Sequence, residues 1–108
     1  MIDSREMARV FKILSVDARV HIVTLLKERS MCVNALAKHL EMSPAAVSQH
    51  LRVLRDGGVV LDCRSGNFVH YSLNPETIEA WRSMASGLLK CDTKPPFCRS
   101  DGTGSCGK

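Results

Sequence analysis

No apolar run in this chain approaches the roughly 20 residues that a membrane-spanning helix needs. The amino-terminal stretch MIDSREMARVFK lacks the apolar block of a secretory signal. There is no glycine-rich phosphate loop, no nucleophile with a partner base, and no pair of carboxylates placed for acid–base work. These absences point to a cytoplasmic protein that is not an enzyme and has no membrane partner. No internal repeat is visible. The five cysteines are an odd number, which in a cytosolic chain argues against a disulfide framework and for metal binding or redox chemistry.

What is present fits one soluble domain of 108 residues, 44% hydrophobic and 24% charged. The net charge of +4 is compatible with a nucleic-acid partner. Residues 1–90 carry the regular patterning and residues 91–108 form a flexible, cysteine-rich tail. The body of about 90 residues can bury a small core, of a size often completed by a partner subunit.

Periodicity predicts the order helix, helix, helix, helix, hairpin, helix. A first helix starts with Ser4 as its cap and carries Met7, Val10, Phe11 and Leu14 on one stripe. Ser15 caps a second helix, whose Val20, Ile22, Val23, Leu25 and Leu26 make it central. Asn34 caps a short third helix with Leu36, Ala37 and Leu40 inward. Ser43 caps a fourth helix with Pro44 at its first position, and Gly57-Gly58 ends it. VVLDCR and FVHYSL then read as strands joined at Ser65-Gly66-Asn67. Asn74-Pro75 opens the last helix, with Ile78, Trp81, Ala85 and Leu88 apolar.

The third and fourth helices, 35–40 and 44–56, are joined through Glu41 and Met42 at helix-turn-helix spacing. With Val47, Leu51 and Leu54 inside, Ala45, Ser48, Gln49, Arg52 and Arg55 face out. The small, polar start of this helix suits entry into a major groove, where glutamine pairs with adenine. Arg52 and Arg55 are placed to neutralise phosphate charge. The hairpin, with Arg64, Asn67 and His70 near its tip, forms a wing. The fold class is mainly α with a β-hairpin wing, a winged helix-turn-helix of order α-α-α-α-β-β-α.

Three stretches, LSVDARVHIVTLL, MCVNALAKHLEMSPAAVSQHLRVLRDGGVV and RSGNFVHYSL, resemble the ArsR/SmtB family of winged-helix, metal-responsive repressors. The resemblance runs in unbroken register over roughly residues 8 to 74. Its most specific pieces are Ser48-Gln49-His50-Leu51, Gly57-Gly58, and Arg64-x-Gly66 with Tyr71. It implies a homodimer paired through the first and last helices, seated on an inverted repeat of double-stranded operator DNA and released by an inducer. It also implies DNA contacts from Ser43, Ser48, Gln49, His50 and Arg52, and from Arg64 in the wing. His50 lies between the buried and outward faces, so it either contacts DNA or caps a local backbone group.

The family has several inducer sites. One is a Cys-Val-Cys run at the third helix; here the run is Cys32-Val33-Asn34, so the two-thiol clamp is lost. Another uses histidine and carboxylate ligands on the last helix, where residues 75–90 hold no histidine. Cys63, on the same strand side as Leu61, reads as packing. Cys91, Cys98 and Cys106 remain, separated by six and then seven residues. Those gaps are too long for a zinc knuckle but loose enough to bring three sulfurs around one centre. Thiolates select soft ions, and trivalent arsenic or antimony prefers three sulfurs in a trigonal pyramid. Lys90, Lys94 and Arg99 lie beside these thiols and favour thiolate. The expected inducer is therefore trivalent arsenic or antimony. Another soft ion, reversible thiol oxidation or persulfidation, or a tail with no role are the alternatives.

Overall fold

The chain is described by a computed structural model over residues 3–91. Five helices and one hairpin follow in the expected order: α1 (Ser4–Ile13), α2 (Asp17–Glu28), α3 (Val33–Leu40), α4 (Pro44–Asp56), β1 (Val60–Ser65), β2 (Phe68–Leu73) and α5 (Pro75–Leu89). No helix among the described residues is long and apolar enough to cross a membrane.

Three caps differ from expectation. Asp3, one residue before Ser4, caps α1 by accepting from the Glu6 N–H at 2.8 Å. Ser15 does not start α2. Its hydroxyl donates to the Lys12 carbonyl at 2.7 Å and so covers a helix-end carbonyl of α1. Val16 holds the cap position of α2 without a side-chain bond. At α3 the cap position belongs to Cys32, and Asn34 falls in the first turn. The cause is Met31, whose backbone pairs with Tyr71 in both directions, at 3.0 and 2.8 Å. That pairing holds the chain extended up to Cys32, so the helix begins immediately after it.

The core joins Ile22 and Leu26 of α2, Leu36 and Ala37 of α3, and Val47, Leu51 and Leu54 of α4 with Met31, Val59 and Val60. Seven of the largest of these side chains are essentially inaccessible. At about 25 cal/mol per Å² of apolar surface, each contributes on the order of 1.5–3 kcal/mol. Val20 lies outside this set, at 47% exposure.

Helices α3 and α4 end in the same way. At α3 the Glu41 N–H reaches the Lys38 carbonyl and the Met42 N–H reaches the Ala37 carbonyl. At α4 the Gly58 N–H reaches Arg55 and the Val59 N–H reaches Leu54. Both are Schellman turns, which place one residue in the left-handed region. Gly58 takes φ +85° without a Cβ penalty. Glu41 takes φ +56° and is the one non-glycine residue with positive φ among those described. Because Val59 completes the α4 turn, β1 begins one residue later than expected, at Val60.

In the wing, Ser65 pairs with Phe68 across a two-residue loop, Gly66-Asn67. Gly66 at φ +64° takes the first loop position, as a type II′ hairpin requires. Alternation puts Asp62 and Tyr71 on the side of α4, and Leu61, Cys63, Phe68 and His70 on the other. That other side is open: Leu61 is 45% and Phe68 64% exposed. Cys63 therefore shares the face of Leu61 as expected, but it is exposed rather than packed. A two-stranded ribbon has one covered face, and α4 covers the opposite one.

Candidate nucleic-acid interface

One cap contact and one proline set the start of α4. Ser43 Oγ accepts from the Ala46 N–H at 3.1 Å, and Pro44 takes the first helical position. The left-handed Glu41 turns the chain so that α4 crosses α3 and sinks Val47, Leu51 and Leu54 into the core. Burying those three positions rotates Ala45, Ser48, Gln49 and Arg52 to solvent together, where they line one shallow concavity. A second cleft, of about 180 Å³, runs between α4 and the wing and is lined by Ser48, Leu51, Arg52, Arg55 and Tyr71. Arg55 is shared with Asp62 of β1 at 3.5 Å, which ties helix to wing.

Of the six DNA-contact candidates, Ser48, Gln49 and Arg52 come together on one exposed face. Ser43 is exposed, but its hydroxyl is engaged as the α4 cap. Arg64 is exposed near the wing tip and does not line that concavity. His50 is half-buried, and its Nδ1 accepts from Arg19 Nε at 3.3 Å. It therefore bonds to a side chain of α2 and not to a local backbone group. Sequence reasoning missed Arg19. Its only signal was membership of the LSVDARVHIVTLL stretch, because a contact between residues 31 apart leaves no periodic trace.

The thiols lie apart. Cys91 follows α5 and is exposed, while Cys98 and Cys106 lie outside the described residues. Cys32 is half-buried at the head of α3, and Cys63 faces His70 across the wing. Among the described residues no group of three His, Cys, Asp or Glu side chains is placed to hold a metal ion.

A third feature lies away from α4. Leu14, Val23, Val59, Ile78, Trp81 and Ala85 line an apolar groove of about 460 Å³ between α1, α2 and α5, with Lys27 and Arg82 beside it. The apolar face expected of α5 is thus present at Ile78, Trp81 and Ala85. Leu88, however, is 49% exposed, and Met84, which the periodicity reading passed over, is buried. Arg82 bonds to Glu79 one turn earlier, and that hydrogen bond holds the Glu79 carboxyl below the usual carboxylate range.

Comparison with known proteins agrees with this geometry. A family-wide sequence profile, that of bacterial regulatory proteins of the arsR family, matches residues 17–61. The chain is similar to the arsenic resistance transcriptional regulator ArsR1 of Pseudomonas putida, 37% identical over 81 residues, which is 74% of this chain and 63% of that one. It is also similar to the arsenical resistance operon repressor of Escherichia coli, 43% identical over 74 residues, 68% of this chain and 62% of that one. The chain thus spans less than two thirds of either relative. A crystal structure described as a possible transcriptional regulator for arsenical resistance superposes with a TM-score of 0.69 at 32% identity, covering 74% of this chain and 83% of that one. The profile match extends from α2 through the whole helix-turn-helix into β1. This chain belongs to the arsR family of bacterial regulatory proteins.

Proposed function

We propose that the protein is a homodimeric transcriptional repressor of a resistance operon, acting in the cytoplasm and not as an enzyme. The observation that carries this reading is the shared outward face of Ser48, Gln49 and Arg52 on α4, next to a wing bearing Arg64. In this reading α4 enters the major groove of double-stranded operator DNA. Gln49 and Ser48 meet base edges, while Arg52, Arg55 and the Ser43 end of the helix meet phosphates. His50 donates to the DNA from the inner edge of that face. Arg64 reaches the neighbouring backbone or minor groove.

The dimer forms through α1 and α5. The apolar groove at Ile78, Trp81 and Ala85, together with exposed Phe11 and Leu88, supports this interface. Dimerisation spaces the two α4 helices roughly one turn of DNA, 34–36 Å, apart.

The inducer is trivalent arsenic or antimony, held by the thiolates of Cys91, Cys98 and Cys106. Residues 1–90 bind DNA and dimerise; residues 91–108 carry the ligands. Three sulfurs without a neighbouring histidine suit these ions, and the names of the two relatives support an arsenical. Cys91 lies two residues past Leu89, the last residue of α5, so an ion held there acts on the dimer contact. Coupling of this kind is typically about 1–3 kcal/mol, or 5–150-fold in affinity.

The test is fluorescence anisotropy of a labelled duplex, selected by the wild-type protein from a random-sequence library and titrated with arsenite under reducing conditions. Release of wild type, with a Cys91→Ser, Cys98→Ser, Cys106→Ser variant staying bound, supports the three-thiol sensor. Release of both moves the sensor to Cys32 or Cys63. Release of neither, with release by another soft ion or an oxidant, removes the arsenical reading and keeps the repressor.

A further inference from the structure

Arg19 is half-buried near the start of α2 and reaches two other helices. Its Nε–H donates to His50 Nδ1 on α4 at 3.3 Å, and its Nη1–H donates to the carbonyl of Ile13, the last residue of α1, at 3.1 Å. A guanidinium has donors only, so the Nδ1 it meets must carry a lone pair. A neutral imidazole with a lone pair on Nδ1 carries its hydrogen on Nε2. The contact therefore selects one tautomer of His50. The Nε2–H it leaves has no hydrogen-bond partner among the described residues. It sits on α4 directly after Gln49.

The same junction has a second contact. Ile13 Cδ1 stands 2.8 Å from where a Cβ at Gly57 would be. The end of α1 thus touches α4 at its carboxyl cap through a side chain and at its middle through Arg19. Resting on the DNA-binding reading above, we propose that Arg19 is a positioning residue for operator recognition. It holds His50 in the Nε2–H form as a donor to DNA, and it fixes the recognition helix to the end of the helix that enters the dimer contact. A change in the seating of α1 then reaches α4 through a directional bond as well as through packing.

Two substitutions at His50 separate its two nitrogens. Asparagine keeps an acceptor near the Nδ1 position and loses the distal donor. Glutamine keeps a donor near the Nε2 position and has no use for Arg19. The experiment combines nitrogen NMR of the histidine ring with anisotropy on the selected duplex, for wild type, Arg19→Met, Arg19→Lys, His50→Asn, His50→Gln and the Arg19→Met double variants.

The expected spectrum shows His50 as the Nε2–H tautomer in wild type and as a mixture in Arg19→Met. His50→Asn, which removes the donor, should weaken DNA binding by about tenfold, the size of one hydrogen bond. Arg19→Met, which leaves only a fraction of the rings in the donor form, should weaken it by about three- to fivefold. The Arg19→Met loss should shrink to within about twofold in the His50→Gln background, and Arg19→Lys should restore part of the tautomer bias. A wild-type ring in the Nδ1–H form, or a full Arg19→Met loss in both His50 backgrounds, overturns the proposal. A wild-type protein that binds no duplex overturns the DNA reading and the donor role together. The ring spectrum still decides the Arg19–His50 contact by itself, so the two failures are told apart.

Discussion

Asn74 Nδ2 donates to the Gly58 carbonyl at 3.1 Å, joining the two chain ends from which the wing projects. The same residue donates its backbone N–H to the Val59 carbonyl at 2.8 Å and caps α5 by accepting from the Glu76 N–H at 3.1 Å. One side chain thus closes the base of the wing and starts the last helix. Asn74→Ala removes the cap and leaves a half-buried carbonyl without its partner. Each loss is worth about 1 kcal/mol, so urea unfolding should show a destabilisation of about 2 kcal/mol.

The two Schellman turns allow an internal comparison. Gly58 meets the left-handed requirement at no steric cost, while Glu41 meets it against its Cβ. Glu41→Gly should raise stability by about 0.5–1 kcal/mol, after part of the gain is offset by the freedom of glycine in the unfolded chain. Gly58→Ala should lower stability by about 1–2 kcal/mol. A shift of the urea midpoint in opposite directions for the two variants is the expected outcome.

Base reading and phosphate binding separate by their salt dependence. Gln49→Ala should cost about 1–3 kcal/mol on the preferred duplex, flatten the preference at one base position, and leave the salt slope unchanged. Arg52→Ala should weaken binding about equally on all sequences and reduce the slope of log affinity against log salt by about 1. Anisotropy over a range of salt concentrations, on matched and scrambled duplexes, reads both.

The apolar groove gives a test of assembly. Ala85 lines it without belonging to the buried core, so a charge there alters the surface more than the fold. Ala85→Lys should convert a dimer into a monomer in sedimentation equilibrium, with DNA affinity reduced more than tenfold. A protein that is monomeric before the substitution contradicts the dimer.

Much of the fold was legible because its signals are local. Ser43-Pro44 at the head of α4, the apolar spacing of Val47, Leu51 and Leu54, Gly57-Gly58 after it, and Asn74-Pro75 before α5 each act within a turn or two of chain. The outward set of Ser48, Gln49 and Arg52 follows from that spacing by elimination. The misplaced caps at Ser4, Ser15 and Asn34 have one origin. Each is a polar residue of the right kind near a helix start, and the choice among neighbours depended on what else the backbone was bonded to. Met31 illustrates this, since its pairing with Tyr71, 40 residues on, moved the start of α3.

Sequence by itself determined the order of elements, the helix-turn-helix, the inward stripe of α4 and the hairpin, because caps, periods and turn residues act over a few positions. It also determined the number and spacing of the thiols in Cys91, Cys98 and Cys106. Tertiary structure decided which face of the wing is covered, and so left Cys63 exposed. It also brought Leu14, Val23 and Trp81 together into one groove and set Arg19 against His50. Those outcomes depend on how helices cross, and crossing is fixed by packing between residues far apart in the chain, which no local pattern records.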